Sequence, residues 1–153
     1  MTTIRAGEAL PHGKYDARHY CRVHHHLFQD VYSWAGKYRR VRTAKGGNPF
    51  CFPEHIPRQM DVLFGSMATV LQAADAEAFV QAAARFLAEL NAIHPFREGN
   101  GRSQLAFMAI VGDAAGYPFA FDRIKRATFL PAMIQSYDLQ IEPLIAELRS
   151  LLK

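Results

Sequence analysis

Apolar residues recur along the chain at steps of three and four in separate blocks, each ending near a helix-stopping residue. The first block, "YDARHYCRVHHHLFQDVYSWAG", sets Tyr20, Val23, Leu27, Val31 and Trp34 on one stripe and predicts an amphipathic helix that Gly36 ends. In "PEHIPRQMDVLFGSMATVLQAA" one face carries Ile56, Met60, Leu63, Met67, Val70 and Leu71, with Pro57 tolerable in the first turn. Asp75 reads as the N-cap of the next helix, where Phe79, Ala83, Phe86, Leu87, Leu90 and Ile93 repeat. Leu105, Met108, Ala109 and Gly112 then continue to Gly116, with "GYP" as the stop. Two further helices are predicted over 122–137 and 141–152.

One stretch breaks this rhythm. "KYRRVRTAKGGNPFCF" alternates briefly from Tyr38 to Arg42 and carries the turn signal "GGNP", which predicts a short hairpin or flap. Its basic, glycine-containing edge is a candidate for pairing with an extended peptide. The fold class is therefore mainly α with one small β element. With 153 residues, half of them apolar, the expectation is a single domain over 1–153 with a real core.

Composition narrows the function classes. The best apolar stretch, "LAFMAIVGDAAG", is interrupted by Asp113, and the first twenty residues have no hydrophobic centre, so neither a membrane span nor a signal peptide is predicted. The expected setting is cytoplasmic, without a membrane partner. Cys21 and Cys51 are too few for a disulfide framework and lack a metal-binding spacing, and both read as reduced and structural. A net charge of +4, partly from "KYRRVR" and "DRIKR", favours an anionic ligand or partner. It is modest for a nucleic-acid binder, which is the disfavoured reading. Consecutive helical residues point about 100° apart, so His24, His25 and His26 do not converge on one ion and read as surface and half-buried histidines.

The densest chemistry lies in "HPFREGNGR", residues 94–102: one imidazole, one carboxylate, one amide, two glycines and two guanidiniums. It joins two predicted core helices, the second starting at or near Asn100. Glycines admit a close ligand, the free first-turn N–H groups favour an anion, and Arg102 adds a positive charge, which makes a phosphate cradle. Glu98 would repel a phosphate unless a hard cation such as Mg²⁺ bridges them. His94 is the group that can take a proton near neutral pH. A base, a metal ligand and an anion nest together describe attack of a hydroxyl on a nucleotide phosphorus. Phe96, between polar neighbours, is expected to point inward and pin the loop.

These residues carry a resemblance. "HPFREGNGR" resembles the Fic-domain signature H-[PI]-F-x-[DE]-G-N-G-R-x-x-R at every position up to Arg102, and the likeness extends to "LFQDVYSWAGKYR" and to the phenylalanine of "NPFCF". The resemblance implies a Fic-type helical core with a β-hairpin flap at about 38–52. It implies transfer of AMP from Mg-ATP to a Ser, Thr or Tyr hydroxyl of a target protein. In that reading His94 is the base, Glu98 the Mg²⁺ ligand, and Gly99, Asn100 and Gly101 the anion hole. Arg102 is a phosphate contact, so the catalytic set is His94, Glu98, Asn100 and Arg102. Thr43, Ala44, Lys45, Gly46, Gly47 and Phe50 belong to the flap that docks the target.

One position departs from the pattern. The second arginine of the signature falls at Leu105. The related Doc kinases resemble the chain in having leucine there, but they carry lysine where this chain has Gly101, which keeps the Fic form of the anion hole. A Doc-like kinase is thus the alternative, followed by a catalytically weak Fic fold serving as a nucleotide- or protein-binding module. No glutamate here has Ser or Thr four residues before it, so the self-inhibitory motif [ST]-x-x-x-E-[GN] is absent. A small separate antitoxin protein is accordingly an expected further partner.

Overall fold

The longest helix forms where apolar residues occupy nearly every position that a neighbour can cover. In a computed structural model that describes residues 8–45 and 47–153, α4 runs Ala76–Ile93, and Phe79, Val80, Ala83, Leu87 and Leu90 are fully buried. Asp75 caps it by accepting the Ala78 N–H at 2.8 Å, as its sequence position predicts. Burying a Leu or Phe side chain completely is worth roughly 1.5–3 kcal/mol, so α4 is the natural centre of the fold. It packs against α2 (Ile56–Phe64), α3 (Met67–Leu71), α5 (Asn100–Ala115), α6 (Arg126–Tyr137) and α7 (Glu142–Ser150). α1 (Ala17–Phe28) lies against α5 and α2. Strands β1 (Ala44–Lys45) and β2 (Asn48–Pro49) pair antiparallel, Ala44 opposite Pro49 and Lys45 opposite Asn48.

Four expectations need correction. The first helix stops at Phe28, not at Gly36, because the chain turns back onto its own histidines: the Gly36 N–H donates to His24 Nδ1 at 2.9 Å, and His25 Nδ1 lies 3.1 Å from the Ala35 carbonyl. Gly36 sits at φ +81° with the Cys21 carbonyl and the His25 Cβ pressed against it, so a side chain would clash. The block after Pro53 is two helices, broken at Gly65 and Ser66, where the Ser66 hydroxyl donates to the Leu63 carbonyl at 2.7 Å. Residues 38–42 form no strand, and the hairpin is confined to 44–49. The helix expected from 122 starts at Arg126, after a 3₁₀ turn at Phe121–Arg123. Cys21 and Cys51 are free thiols, and among the described residues no helix is long and apolar enough to cross a membrane.

Candidate active site

α4 ends at the two residues beyond Ile93. His94 takes the left-handed conformation, φ +51°, while its N–H still reaches the Leu90 carbonyl at 3.0 Å, and Pro95 prevents another turn. A left-handed non-glycine residue stores strain, so something must hold it there. Arg39 does so. The residue is 2 % exposed, and its guanidinium donates to the carbonyls of His94 (2.7 Å), Ile93 (3.1 Å), Val41 (2.7 Å) and Cys51, while its own backbone N–H donates to the Pro95 carbonyl at 2.9 Å. A cation on the C-terminal carbonyls of α4 also complements the helix dipole. Sequence position groups Arg39 with the basic flap edge, but its charge is used inside the fold. The His94 ring stacks on Phe50, centroids 3.9 Å apart and planes within 7°.

The turn from Pro95 to Arg102 rests on one face of α1. Tyr20, His24 and Phe28 stand at i, i+4 and i+8, all buried, and each holds a different part of the turn. The Tyr20 hydroxyl meets Ser103 Oγ at 2.9 Å, and that oxygen donates to the Gly99 carbonyl at 2.8 Å. Burial moves the Tyr20 phenol well above its ordinary range, against a smaller opposing pull from the Ser103 bond. His24 Nε2 bonds the Glu98 carbonyl at 2.9 Å, and its ring stacks on Phe96 at 3.7 Å. Because Nδ1 accepts from Gly36, Nε2 must carry the hydrogen, and the ring is neutral. Burial lowers its pKa from 6.5 to about 4, in agreement with that tautomer. His24 is therefore fully buried, not a surface or half-buried histidine. The Phe28 ring lies 2.5 Å from where a Cβ of Gly99 would be, and Gly99 has φ +80°, so this position admits glycine alone.

Asn100 completes the turn from within. Its side chain accepts the Phe96 N–H at 3.1 Å and donates to the Phe96 carbonyl at 2.7 Å, so the amide closes the loop and its backbone is left to face a ligand. Phe96 is fully buried, as its neighbours in sequence predict. Gly99 is the N-cap of α5 without a side-chain cap, which leaves the first-turn N–H groups open. A Cβ on Gly101 would meet only open space.

The result is one cavity of about 780 Å³. His94, Glu98, Gly99, Asn100, Gly101 and Arg102 all line it, so the structure brings together the six loop residues given a site role from the sequence. Glu98 and Arg102 are exposed to it. The opposite wall is α6, with Phe129, Leu130, Met133, Ile134 and Tyr137. Of the flap residues, Phe50 lines the cavity and is buried on His94, whereas Thr43, Ala44 and Gly47 lie outside it. Lys45 is placed in β1, and Gly46 lies outside the described residues. Sequence reasoning does not single out Tyr20, His24, Phe28 or Arg39 as site residues. The first three carry a usable signal, since they share the spacing of the buried face of α1.

The model of the Fic/DOC family matches residues 14–111. The chain belongs to the Fic/DOC family. It is 48% identical to the "Probable protein adenylyltransferase y4lH" of Sinorhizobium fredii over 99% of this Fic chain and 81% of the relative. It is 39% identical to the protein adenylyltransferase VbhT of Bartonella schoenbuchensis over 90% of the chain, although that covers 29% of VbhT. Among solved structures, the N-terminal Fic domain of a VirB-translocated Bep effector protein from Bartonella quintana, with bound ADP, superimposes with a TM-score of 0.83 at 28% identity. That match covers 95% of this chain and 76% of the other. The mainly helical architecture is thus the Fic fold.

Proposed function

We propose that this Fic protein is a protein adenylyltransferase in which His94 is the base and the 98–102 turn is the phosphate cradle. The observation that carries the reading is the convergence of an imidazole, a carboxylate, an uncapped helix N-terminus and an arginine on one cavity large enough for a nucleotide. The names of the relatives, protein adenylyltransferases at 48% and 39% identity, give the same activity.

The chemistry derives from the placement. A target Ser, Thr or Tyr hydroxyl attacks the α-phosphorus of ATP, its proton passes to His94, the new O–P bond forms, and the bond to the β-phosphate oxygen breaks to release pyrophosphate. The open N–H groups at Asn100 and Gly101 and the Arg102 guanidinium face the charge that grows on the phosphate oxygens. Glu98 is the one carboxylate lining the cavity among the described residues, and those residues hold no cluster of three or more metal-ligating side chains. A single carboxylate beside a phosphate site suits Mg²⁺, which takes few protein ligands and completes its shell with phosphate oxygens and water. Bound there, Mg²⁺ would neutralise phosphate charge. Asn100 acts by holding the loop closed. The hairpin at 44–49 offers a strand edge to the target backbone beside His94, supported by the contact of Phe50 with that ring. A small antitoxin partner belongs to this reading too, because the chain lacks the inhibitory motif.

Purified protein, Mg²⁺ and a cell lysate with ATP labelled at either the α- or the γ-phosphate test the assignment, with His94→Ala alongside. Label is expected on protein from α-labelled ATP, falling about 10²–10⁴-fold in the variant. Label from γ-labelled ATP alone would replace the reading with a Doc-like kinase.

A further inference from the structure

Phe50 and Tyr137 line the cavity at His94, and both also line a second, open groove of about 430 Å³ that His94 does not line. The two rings meet edge-on at 5.7 Å and so partition the two spaces. Glu89, Ala92 and Ile93, at i, i+3 and i+4 on α4, supply one side of the groove, and Gln59 of α2 supplies another. The hairpin supplies the third, from Pro49 to Cys51, and the Cys51 N–H donates to the Ala92 carbonyl at 3.3 Å, which ties the hairpin's exit to α4.

The composition of this groove is selective. Glu89 is the one charged residue lining it among the described residues, and it is exposed there without a hydrogen bond or ion pair to any of them. Apart from Glu89, Gln59 and the Tyr137 hydroxyl, which is bonded to the Pro49 carbonyl, the lining side chains are apolar or a thiol. Arg39 lies behind Cys51 and Ile93, but its guanidinium is taken up by their carbonyls and by those of Val41 and His94. Glu54 adds a second negative charge that acts on Cys51. An apolar trough with a carboxylate on it and no lining cation suits a Lys or Arg side chain, whose methylenes cover the trough while its head meets the carboxylate.

Resting on the adenylyltransferase reading and its strand-edge docking, we infer that this groove is a target-specificity subsite, which takes a basic side chain two residues from the hydroxyl to be modified. Side chains two apart project from the same face of a strand, about 6.6–6.8 Å along it. A target strand on the hairpin that directs its hydroxyl to His94 therefore directs the second-next side chain the same way, across the Phe50 and Tyr137 partition toward Glu89. The five residues from Glu89 to His94 span about 7.5 Å of helix rise, which a step of two strand residues matches.

Labelling a lysate with α-labelled ATP and Mg²⁺, followed by mass spectrometry of the labelled proteins, maps the modified hydroxyls, and a Lys or Arg is expected two residues from each. Against a mapped target, Glu89→Lys should raise the target KM by about tenfold or more and Glu89→Gln by a few-fold. ATP affinity and kcat should change little, since Glu89 lies outside the nucleotide cavity. A target whose basic residue is reversed to glutamate should be poor for the full chain and recovered by Glu89→Lys, an exchange that a merely structural role for Glu89 would not produce. An unaltered target KM in Glu89→Lys, no recovery of the reversed target, or mapped sites without a basic residue at that spacing would overturn the inference and leave the transferase reading intact. A full chain that labels no protein from α-labelled ATP would overturn both.

Discussion

From Phe96 to Ser103 the backbone is held from beneath by Tyr20, His24 and Phe28 and from within by Asn100, whereas the hairpin at 44–49 is a ladder of two residue pairs. Both regions border His94. Among the described residues, the hairpin closes on itself through the Phe50 N–H to the Thr43 carbonyl at 3.0 Å and meets the rest of the fold through the Tyr137 hydroxyl to the Pro49 carbonyl and the Phe50 ring on His94. On the proposed function, the contrast follows from what each would have to do. A phosphate cradle gains from donors fixed before the ligand arrives, since their reorganisation would otherwise oppose the reaction. A strand edge that accepts different backbones gains from being able to adjust.

The largest effect is expected where the two regions share a support. Arg39→Ala leaves the carbonyls of Val41, Cys51, Ile93 and His94 without their common donor, at a cost on the order of 3–5 kcal/mol. Urea unfolding should show the loss, and AMP transfer should fall with it. Arg39→Lys should recover part of it, because one ammonium cannot reproduce the guanidinium fork. If Arg39→Ala disturbed the hairpin and left His94 function untouched, the two regions would not share this anchor.

His24 sharpens the comparison through pH. Its folded pKa is about 4 against an ordinary 6.5, so between these values the unfolded chain binds a proton that the folded chain refuses. Stability from this group is complete above about pH 6.5 and falls toward pH 4, by an amount on the order of 3 kcal/mol. His24→Phe keeps the ring stacked on Phe96 but removes the bonds to the Glu98 carbonyl and the Gly36 N–H, and it should flatten that slope while lowering stability at pH 7. The measurement is the unfolding free energy at several pH values between 4 and 8. An unchanged slope in the variant would place the acid sensitivity elsewhere.

Legibility in the sequence divides along the same line. The loop chemistry is legible because it is local: nine consecutive residues contain the imidazole, the carboxylate, the glycines and the arginine, and helical periodicity on both sides fixes where they sit. The helices themselves are legible where a cap and a stripe agree, as at Asp75 and Gly116. Their ends are less so. Phe28 ends α1 because His24 and His25 bond a chain that returns ten to twelve residues later, a tertiary contact that periodicity cannot register. Arg39 reads as one of a basic run because neighbours in sequence are all that composition sees, and its carbonyl partners lie on α4 and past the hairpin. His24 is hidden for the opposite reason. The run "HHH" invites a question about metals, while its first member continues the Tyr20–Phe28 stripe.

The smallest expected effect tests whether the hairpin touches the chemistry at all. Phe50 is the residue through which it would do so, since its ring lies parallel to His94 and meets Tyr137 edge-on at 5.7 Å. Phe50→Leu preserves apolar bulk and removes the aromatic pairing, worth about 0.5–1.5 kcal/mol. If the stack orients the imidazole for proton transfer, kcat should fall by a few-fold to about tenfold with nucleotide affinity unchanged, because the phosphate cradle is held by α1 and not by the flap. The melting temperature should move little. If instead Phe50→Leu weakens ATP binding and spares kcat, the ring serves the cavity wall, and the cradle and the hairpin are one unit and not two.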